Sequence, residues 1–349
     1  MEKILTIVIP TYNMQDYLRR CLDSLIVPEG LMKQLEVLVV NDGSKDNSSA
    51  IAHEYQDKYP DTFRVIDKEN GNYGSCVNRG LKKAIGKYIK ILDADDWFDT
   101  DVLARILGVM QSVDVDLFLT DFNEVSVQGT ITKKRRIETK PQKVIFDFAR
   151  YCINPYDPIV MHSVAYRRAL LKECQYKQTE GISYTDMQWV FVPMAFVKTA
   201  YYCAEPLYQY LLGREGQTMA ANVLRRNAIQ LQKMVEGLVI AYNKNKYMTN
   251  INIKEYLLRI LKSQLYRIFI LGLVEDAISN EELIAFDKNV IINNPELKNI
   301  TNKLIVSNNF QDPFVKKWRD NGYKPLGKVK KLLLRTIKLL QICKMKIRK

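Results

Sequence analysis

The chain is poor in histidine, with only two, and its six cysteines lie apart with no CxxC pair. That excludes a zinc module, which needs closely spaced thiolates or imidazoles, and a small disulfide-knotted fold. Scattered thiols fit a reducing compartment. No run of about 18 apolar residues is present to span a bilayer, and Met1-Glu2-Lys3 leads into a short apolar strand without a signal-peptide layout. The expectation is a cytoplasmic protein, peripheral on the inner face of the cell membrane. Hydrophobic residues at 47% and charged residues at 26% exclude intrinsic disorder, and 15 glycines exclude a collagen-like repeat.

What the chain has in excess is positive charge. Its 349 residues carry 52 Lys and Arg against 39 Asp and Glu, a formal +13. Ten basic residues and no acid lie between Lys324 and Lys349, so thirteen less ten leaves +3 for residues 1–323. The basicity belongs to a tail, and nucleic acid is not expected as a partner. At roughly 100–200 residues per domain, the length suggests two units, with one large α/β domain and an appendage as the alternative.

The first hundred residues alternate strand and helix patterns. Leu5–Ile9 is a continuous apolar strand closed by Pro10, Glu36–Val40 a second, Phe63–Ile66 a third and Tyr88–Leu92 a fourth. Helical spacing fills 15–27, 48–58 and 74–85 between them. Apolar strands joined by helices of this length predict βαβ crossovers and a mostly parallel, Rossmann-like sheet. After a fifth strand near Asp116–Thr120, residues 122–146 read as a hairpin with Lys133-Lys134-Arg135-Arg136 at an exposed tip. From about residue 222 the pattern is helical, with an amphipathic repeat over 254–275. The expected division is 1–220, an α/β domain, and 221–349, a helical region.

Ligands of such sheets bind at the carboxyl ends of strands. Three strand ends here deliver polar clusters: Pro10-Thr11-Tyr12-Asn13, Asn41-Asp42-Gly43-Ser44 and Asp93-Ala94-Asp95-Asp96. Three carboxylates in four residues repel one another unless a cation or a donor holds them. Hard oxygen ligands on one loop suit Mg2+ or Mn2+ bridging a diphosphate. A bland alternative is a solvated turn, with Asp96 capping the next helix.

These clusters resemble those of the family 2 glycosyltransferases. The matching pieces are VIPTYN (Val8–Asn13), VVNDGSKDNS (Val39–Ser48), ENGNYGSCVNRG (Glu69–Gly80), GKYIKILDADDW (Gly86–Trp97), SYTDMQW (Ser183–Trp189) and PLYQYLLGREGQTM (Pro206–Met219), in family order. The resemblance implies a GT-A fold and inverting transfer of a sugar from a nucleotide sugar. It implies that Pro10, Thr11, Tyr12 and Asn13 line the nucleoside pocket and that Asp42 accepts hydrogen bonds from uracil or ribose. Asn70, Gly74 and Asn78 would pack the loop and helix beside the nucleotide. Asp93 would contact ribose or a metal-bound water, and Asp95 would ligate Mn2+ or Mg2+ directly. Arg214, Gln217 and Thr218 would hold phosphate oxygens. The catalytic base would be Asp186, opening a helix; Thr185 stands where the family usually has Glu. His162 reads as a satisfied buried histidine, with contact to the metal or the acceptor as the alternative. Tyr201, Tyr202, Tyr208 and Tyr210 read as strand core, with one ring stacking on a sugar as the alternative.

Residues 327–347 place Val329, Leu332, Leu333, Thr336, Leu340, Cys343 and Ile347 on one helical stripe amid lysines and arginines. A basic amphipathic helix over about 324–349 predicts an anionic membrane surface as partner. The alternative is docking on its own domain or on a second copy in a homo-oligomer. The combined expectation is a metal-dependent hexosyl- or N-acetylhexosaminyltransferase acting on a UDP-sugar and a glycan or lipid-linked acceptor. A catalytically silent assembly subunit and a sugar nucleotidyltransferase are the alternatives, although PTYN is not the Gly-rich loop that a nucleotidyltransferase needs.

Overall fold

A computed structural model describes the chain except residues 1, 153, 155, 156, 158, 215–220, 245–249, 308–310 and 348–349. It divides into two compact units, Met1–Glu215 with Asn245–Tyr256, and Gly216–Lys244 with Leu257–Lys349.

The first unit is built on one sheet. Strands β1 (Leu5–Thr11) and β2 (Leu35–Asn41) are apolar almost throughout and buried on both faces, as parallel strands covered by helices must be. With β3 (Phe63–Asp67) and β4 (Tyr88–Ile91) they form a parallel block ordered β3-β2-β1-β4. The crossover helices are Gln15–Asp23, Ser48–Lys58 and Asn72–Lys83. Gly80 lets the third of these lie against β1, since a Cβ there would come within 2.4 Å of Val8 Cγ1.

β1 runs two residues past the expected stop, through Pro10 to Thr11. Its pairing with β4 ends at Val8 with Ile91, whereas Pro10 and Thr11 pair only with β2. Pro10 is therefore at a local sheet edge, where a missing N–H is tolerated.

Beyond β4 the sheet becomes mixed. Two-residue β5 (Trp97–Phe98) ends it, and β6 (Leu117–Ser126) runs parallel to β10 (Thr199–Leu212). β9 (Val164–Arg167) is wedged antiparallel between β4 and β6. The hairpin partner of β6 is short, β7 (Ile131–Arg135), and β8 (Ile145–Asp147) pairs with β10 instead. This corrects the sequence reading of the basic run. Lys133–Arg136 lies along and just past β7, with Arg135 paired to Glu124 at 2.5 Å and Arg136 to Asp121 at 3.5 Å. The turn itself carries Gly129 in the left-handed region, at φ +80°.

The second unit is helical. Its helices include Ala228–Lys244, Pro295–Asn302, Phe314–Asp320 and Lys328–Ile347. Phe269, Phe286 and Trp318 pack edge-on in its core. Fully buried Asp287 takes hydrogen bonds from Arg319 Nε (2.9 Å) and Tyr323 Oη (3.2 Å), so neither charge is left unpaired. Helix Lys328–Ile347 docks on its own unit by its basic side. Lys331 and Arg335 pair with Asp276, Lys338 pairs with Glu275, and Leu334 is fully buried. Its other side leaves Val329, Leu332, Leu339 and Leu340 exposed, each by 58% or more. The side chains of Cys343 and Ile347 lie outside the described residues. Among the described residues no helix is long and apolar enough to cross a membrane.

Candidate active site

The carboxyl ends of β1, β2 and β3 are stitched together by side chains from the turns that follow them. Asn13, at φ +54°, receives the Lys45 N–H on its Oδ1 at 2.8 Å, and its own N–H donates to Ser44 Oγ at 3.1 Å. Asn41 Nδ2 donates to Asp67 Oδ1 at 2.7 Å. Asp42 is buried; its carboxylate pairs with Lys68 and accepts the Gly71 N–H at 2.9 Å, and Asn70 Nδ2 donates to its carbonyl at 3.1 Å. Thr11 is buried with its hydroxyl on Ile9 O, whereas Tyr12 is exposed. Between these loops lies a cleft of about 610 Å³ lined by Tyr12, Asn41, Gly43, Lys45, Lys68 and Asn70, among others. Gly74 and Asn78 are structural: a Cβ on Gly74 would meet Thr179 O at 2.1 Å, and Asn78 brackets Gln178 with bonds of 2.8 and 2.9 Å.

The acidic loop after β4 divides its labour. Asp93 accepts a hydrogen bond from Tyr73 Oη at 2.8 Å, and its N–H donates to Tyr208 Oη at 3.1 Å. Burial first, then the Asp95 charge, push its carboxyl up to about 7. Asp95 pairs with Arg214, whose guanidinium also lies 5.6 Å from the Tyr17 ring centre. Asp96 does not cap a helix. It is buried, accepts Tyr208 Oη at 2.6 Å and the Leu211 N–H at 2.7 Å, and so ties the loop to β10. Asp99 is the cap, accepting the Val102 N–H at 3.0 Å at the start of helix Thr100–Ser112.

His162 comes to the same place from a 3-10 turn before β9. It is held between rings, stacked on Tyr210 at 4.3 Å and edge-on to Tyr208 at 4.6 Å. It is not a satisfied histidine: Nδ1 is buried without a hydrogen-bond partner among the described residues. Burial and then the charge of Lys90 hold the imidazole down to about 3, so the ring is neutral. One donor atom each from Asp93, Asp96 and His162 lie within 4.8 Å of one another. Two carboxylates and a neutral imidazole whose buried Nδ1 has no partner among the described residues are a donor set that fits a divalent cation.

Asp186 opens a single helical turn, Asp186–Trp189, not the longer helix that the sequence pattern implies. Tyr184 before it sits at φ +68°, and buried Thr185 donates to Gln178 Oε1 at 2.9 Å. The Asp186 charge reaches the cluster, raising the pKa of Asp93, Tyr73 and Tyr210. Gln217 and Thr218 lie outside the described residues.

The sequence singles out no role for Lys68, Tyr73 or Arg20, and marks Tyr208 only as strand core, whereas its hydroxyl ties the acidic loop to β10. Lys68 follows β3 directly, so the strand-end rule covers it too. Arg20 donates to Asp95 O at 3.0 Å and stacks 3.8 Å from the Trp97 ring centre, a contact 75 residues away that no local pattern reveals.

A mixed α/β sheet with acidic loops at the ends of its parallel strands, followed by helices, defines the GT-A class of fold. Residues 6–174 match the family model described as glycosyl transferase family 2, and this segment belongs to that family. The chain is 39% identical over 105 residues to the uncharacterized glycosyltransferase MG025 of Mycoplasma genitalium, covering 30% of this chain and 35% of that protein. It is 28% identical over 214 residues to the uncharacterized glycosyltransferase YibD of Escherichia coli K12, covering 60% and 61%. The matches thus span from about a third to three fifths of these relatives' lengths. Among solved structures, S. aureus TarS 1–349 in complex with UDP-GlcNAc aligns with a TM-score of 0.52 at 18% identity, over 91% of this chain and 92% of that one. At that identity the likeness is one of fold.

Proposed function

We propose that the protein is a metal-dependent, inverting glycosyltransferase. It moves a hexose or N-acetylhexosamine from a UDP-sugar to a hydroxyl of a growing cell-surface glycan or lipid-linked acceptor. One observation carries the reading: Asp93, Asp95 and Asp96 share a loop at the end of β4, and the Asp186 charge reaches that loop from outside it. Family membership of residues 6–174 supports transfer from a nucleotide sugar, and the TarS fold relative was solved with UDP-GlcNAc.

In this reading the cleft beside Asp42, Tyr12 and Asn13 takes the nucleoside, with Thr11 and Pro10 shaping its floor and Asn70 its rim. Asp93 and Asp95 would hold the Mn2+ or Mg2+ ion, with Asp96 and His162, whose donor atoms cluster with that of Asp93, as further ligands. The cation supplies charge neutralisation for the diphosphate leaving group. Arg214, now on Asp95, is the guanidinium that pairs phosphate oxygens when the donor binds, aided by Gln217 and Thr218. Asp186 takes the proton of the acceptor hydroxyl as it attacks the anomeric carbon. Thr185, neutral and bonded to Gln178, sets the turn that carries Asp186.

The test is a panel of UDP-sugars and dTDP-rhamnose scored by thermal shift with and without Mn2+. A UDP-sugar raises the Tm only when metal is present. A panel with no metal-dependent shift contradicts the reading.

The exposed leucines of helix Lys328–Ile347, with lysines beside them, fit an anionic membrane interface at the inner face of the cell membrane. Leu332→Ser/Leu339→Ser/Leu340→Ser keeps the ion pairs to Glu275 and Asp276. It abolishes sedimentation with phosphatidylserine-containing vesicles while sparing the donor thermal shift. Unchanged sedimentation contradicts membrane binding by this helix.

A further inference from the structure

A second cleft of the first unit, about 730 Å³, adjoins the site described above and shares Lys68 with it. Its walls are the outer face of helix Asn72–Lys83, helix Arg168–Glu173 and the segment from Gln175 to Glu180. Six of its lining residues are cations (Lys68, Arg79, Lys82, Arg168, Lys172 and Lys177) against one acid, Glu180. Two of the cations are already committed, Lys68 to Asp42 and Lys177 to Glu180 at 3.7 Å. Arg79, Lys82, Arg168 and Lys172 have no carboxylate partner among the described residues. Arg168 is nevertheless held in place, its Nε donating to Gly86 O at 2.9 Å. Residues 1–323 carry only +3, so four uncompensated cations in one concavity are a local concentration, not a share of general basicity. A cleft lined by one sign of charge focuses the field and attracts the opposite sign.

The shape and composition narrow the ligand. A concave groove does not fit the flat surface of a bilayer. The one aromatic in its lining, Tyr176, is buried, so there is no exposed ring on which unpaired bases could stack. Exposed Gln175 adds an amide that hydrogen-bonds hydroxyls. Two links join the groove to the candidate active site. Lys68 lines both the groove and the cleft beside Asp42, and Gln178, in the groove's wall segment, accepts a hydrogen bond from Thr185, next to Asp186.

We infer that this groove binds a linear polyanion, the phosphate- or carboxylate-bearing chain of the acceptor glycan. As an anion site it stands on charge and shape alone; as the acceptor's track it rests on the glycosyltransferase reading. Bound there, an anionic chain is held by ion pairs along its length while its terminal hydroxyl extends toward Asp186.

Binding of labelled linear polyphosphate and of polygalacturonate to the full chain, by fluorescence anisotropy at low and raised salt, tests this. Dextran serves as the neutral control and oligo-dT as the nucleic-acid arm. The protein binds one or both glycan-like polyanions, more weakly as salt rises; the tighter of the two identifies the anionic group. Arg79→Glu/Lys82→Glu/Lys172→Glu, three exposed sites, weakens that binding by about tenfold or more. An equal reversal elsewhere, Lys233→Glu/Lys262→Glu/Lys298→Glu, leaves it within about threefold. Equal losses in the two variants, absence of binding by the unaltered chain, or tighter binding of oligo-dT overturns the inference. The donor thermal shift, read in parallel, separates the two claims. Polyanion binding without a donor shift retains the groove and sinks the transferase, whereas the reverse sinks only the groove.

Discussion

Asp186→Asn lowers transfer by about 10²- to 10⁴-fold, the range of a lost general base, and leaves folding and the metal-dependent donor shift intact. The asparagine is nearly the same shape and still fits the turn set by Tyr184 and Thr185, but it cannot accept a proton. The Asp186 charge is felt at the acidic loop, where it adds to the upward shift of Asp93, Tyr73 and Tyr210 that burial begins. Steady-state kcat is the measurement. Near-unaltered turnover in the variant removes Asp186 from the chemistry.

Asp93→Asn has two effects of opposite sign, and together they distinguish a ligand from a structural acid. Asp93 lies beside Asp95 and Asp96 and within the field of Asp186, so its negative charge is opposed in the metal-free protein. Removing that charge leaves the metal-free Tm equal or higher. The same change weakens Mn2+-dependent donor binding beyond the roughly 10- to 100-fold that loss of an outer-shell partner costs. A purely structural acid, bonded to Tyr73 and Tyr208, behaves otherwise: its replacement lowers the metal-free Tm and spares the metal dependence. Thermal shift with and without Mn2+ reads both effects in one assay.

The two substitutions also show which parts of the molecule were legible in the sequence. Apolar runs such as Leu5–Ile9 and Glu36–Val40 declare buried parallel strands, because they are short, rich in β-branched residues and closed by turn residues, with helical spacing between them. Helix 48–58 was read to its observed ends, and the acidic and amide residues after each strand were found because parallel topology puts them together. What stayed hidden depends on partners distant in sequence. Asp96 bonds to Tyr208 and Leu211, more than a hundred residues on, and nothing near Asp96 distinguishes that role from a helix cap. His162 acquires its meaning only when antiparallel β9 enters the sheet between β4 and β6, a placement without a periodic signature. The basic run at 133–136 suggested a solvated tip, but Glu124 and Asp121 on the neighbouring strand draw its arginines into ion pairs. The C-terminal helix was read as either docked or membrane-facing. Its lysines and Arg335 hold it to Glu275 and Asp276, while its leucines remain outside.

The central claim is that the acidic loop after β4 and the carboxylate of Asp186 serve metal-dependent chemistry on a nucleotide sugar. Release of nucleoside diphosphate from the UDP-sugar panel, followed with Mn2+ and again after chelation by EDTA, tests it most directly. The account predicts turnover of at least one UDP-sugar that stops on chelation and returns when Mn2+ is restored. No release from any UDP-sugar in the presence of Mn2+, or release that persists undiminished in EDTA, contradicts it.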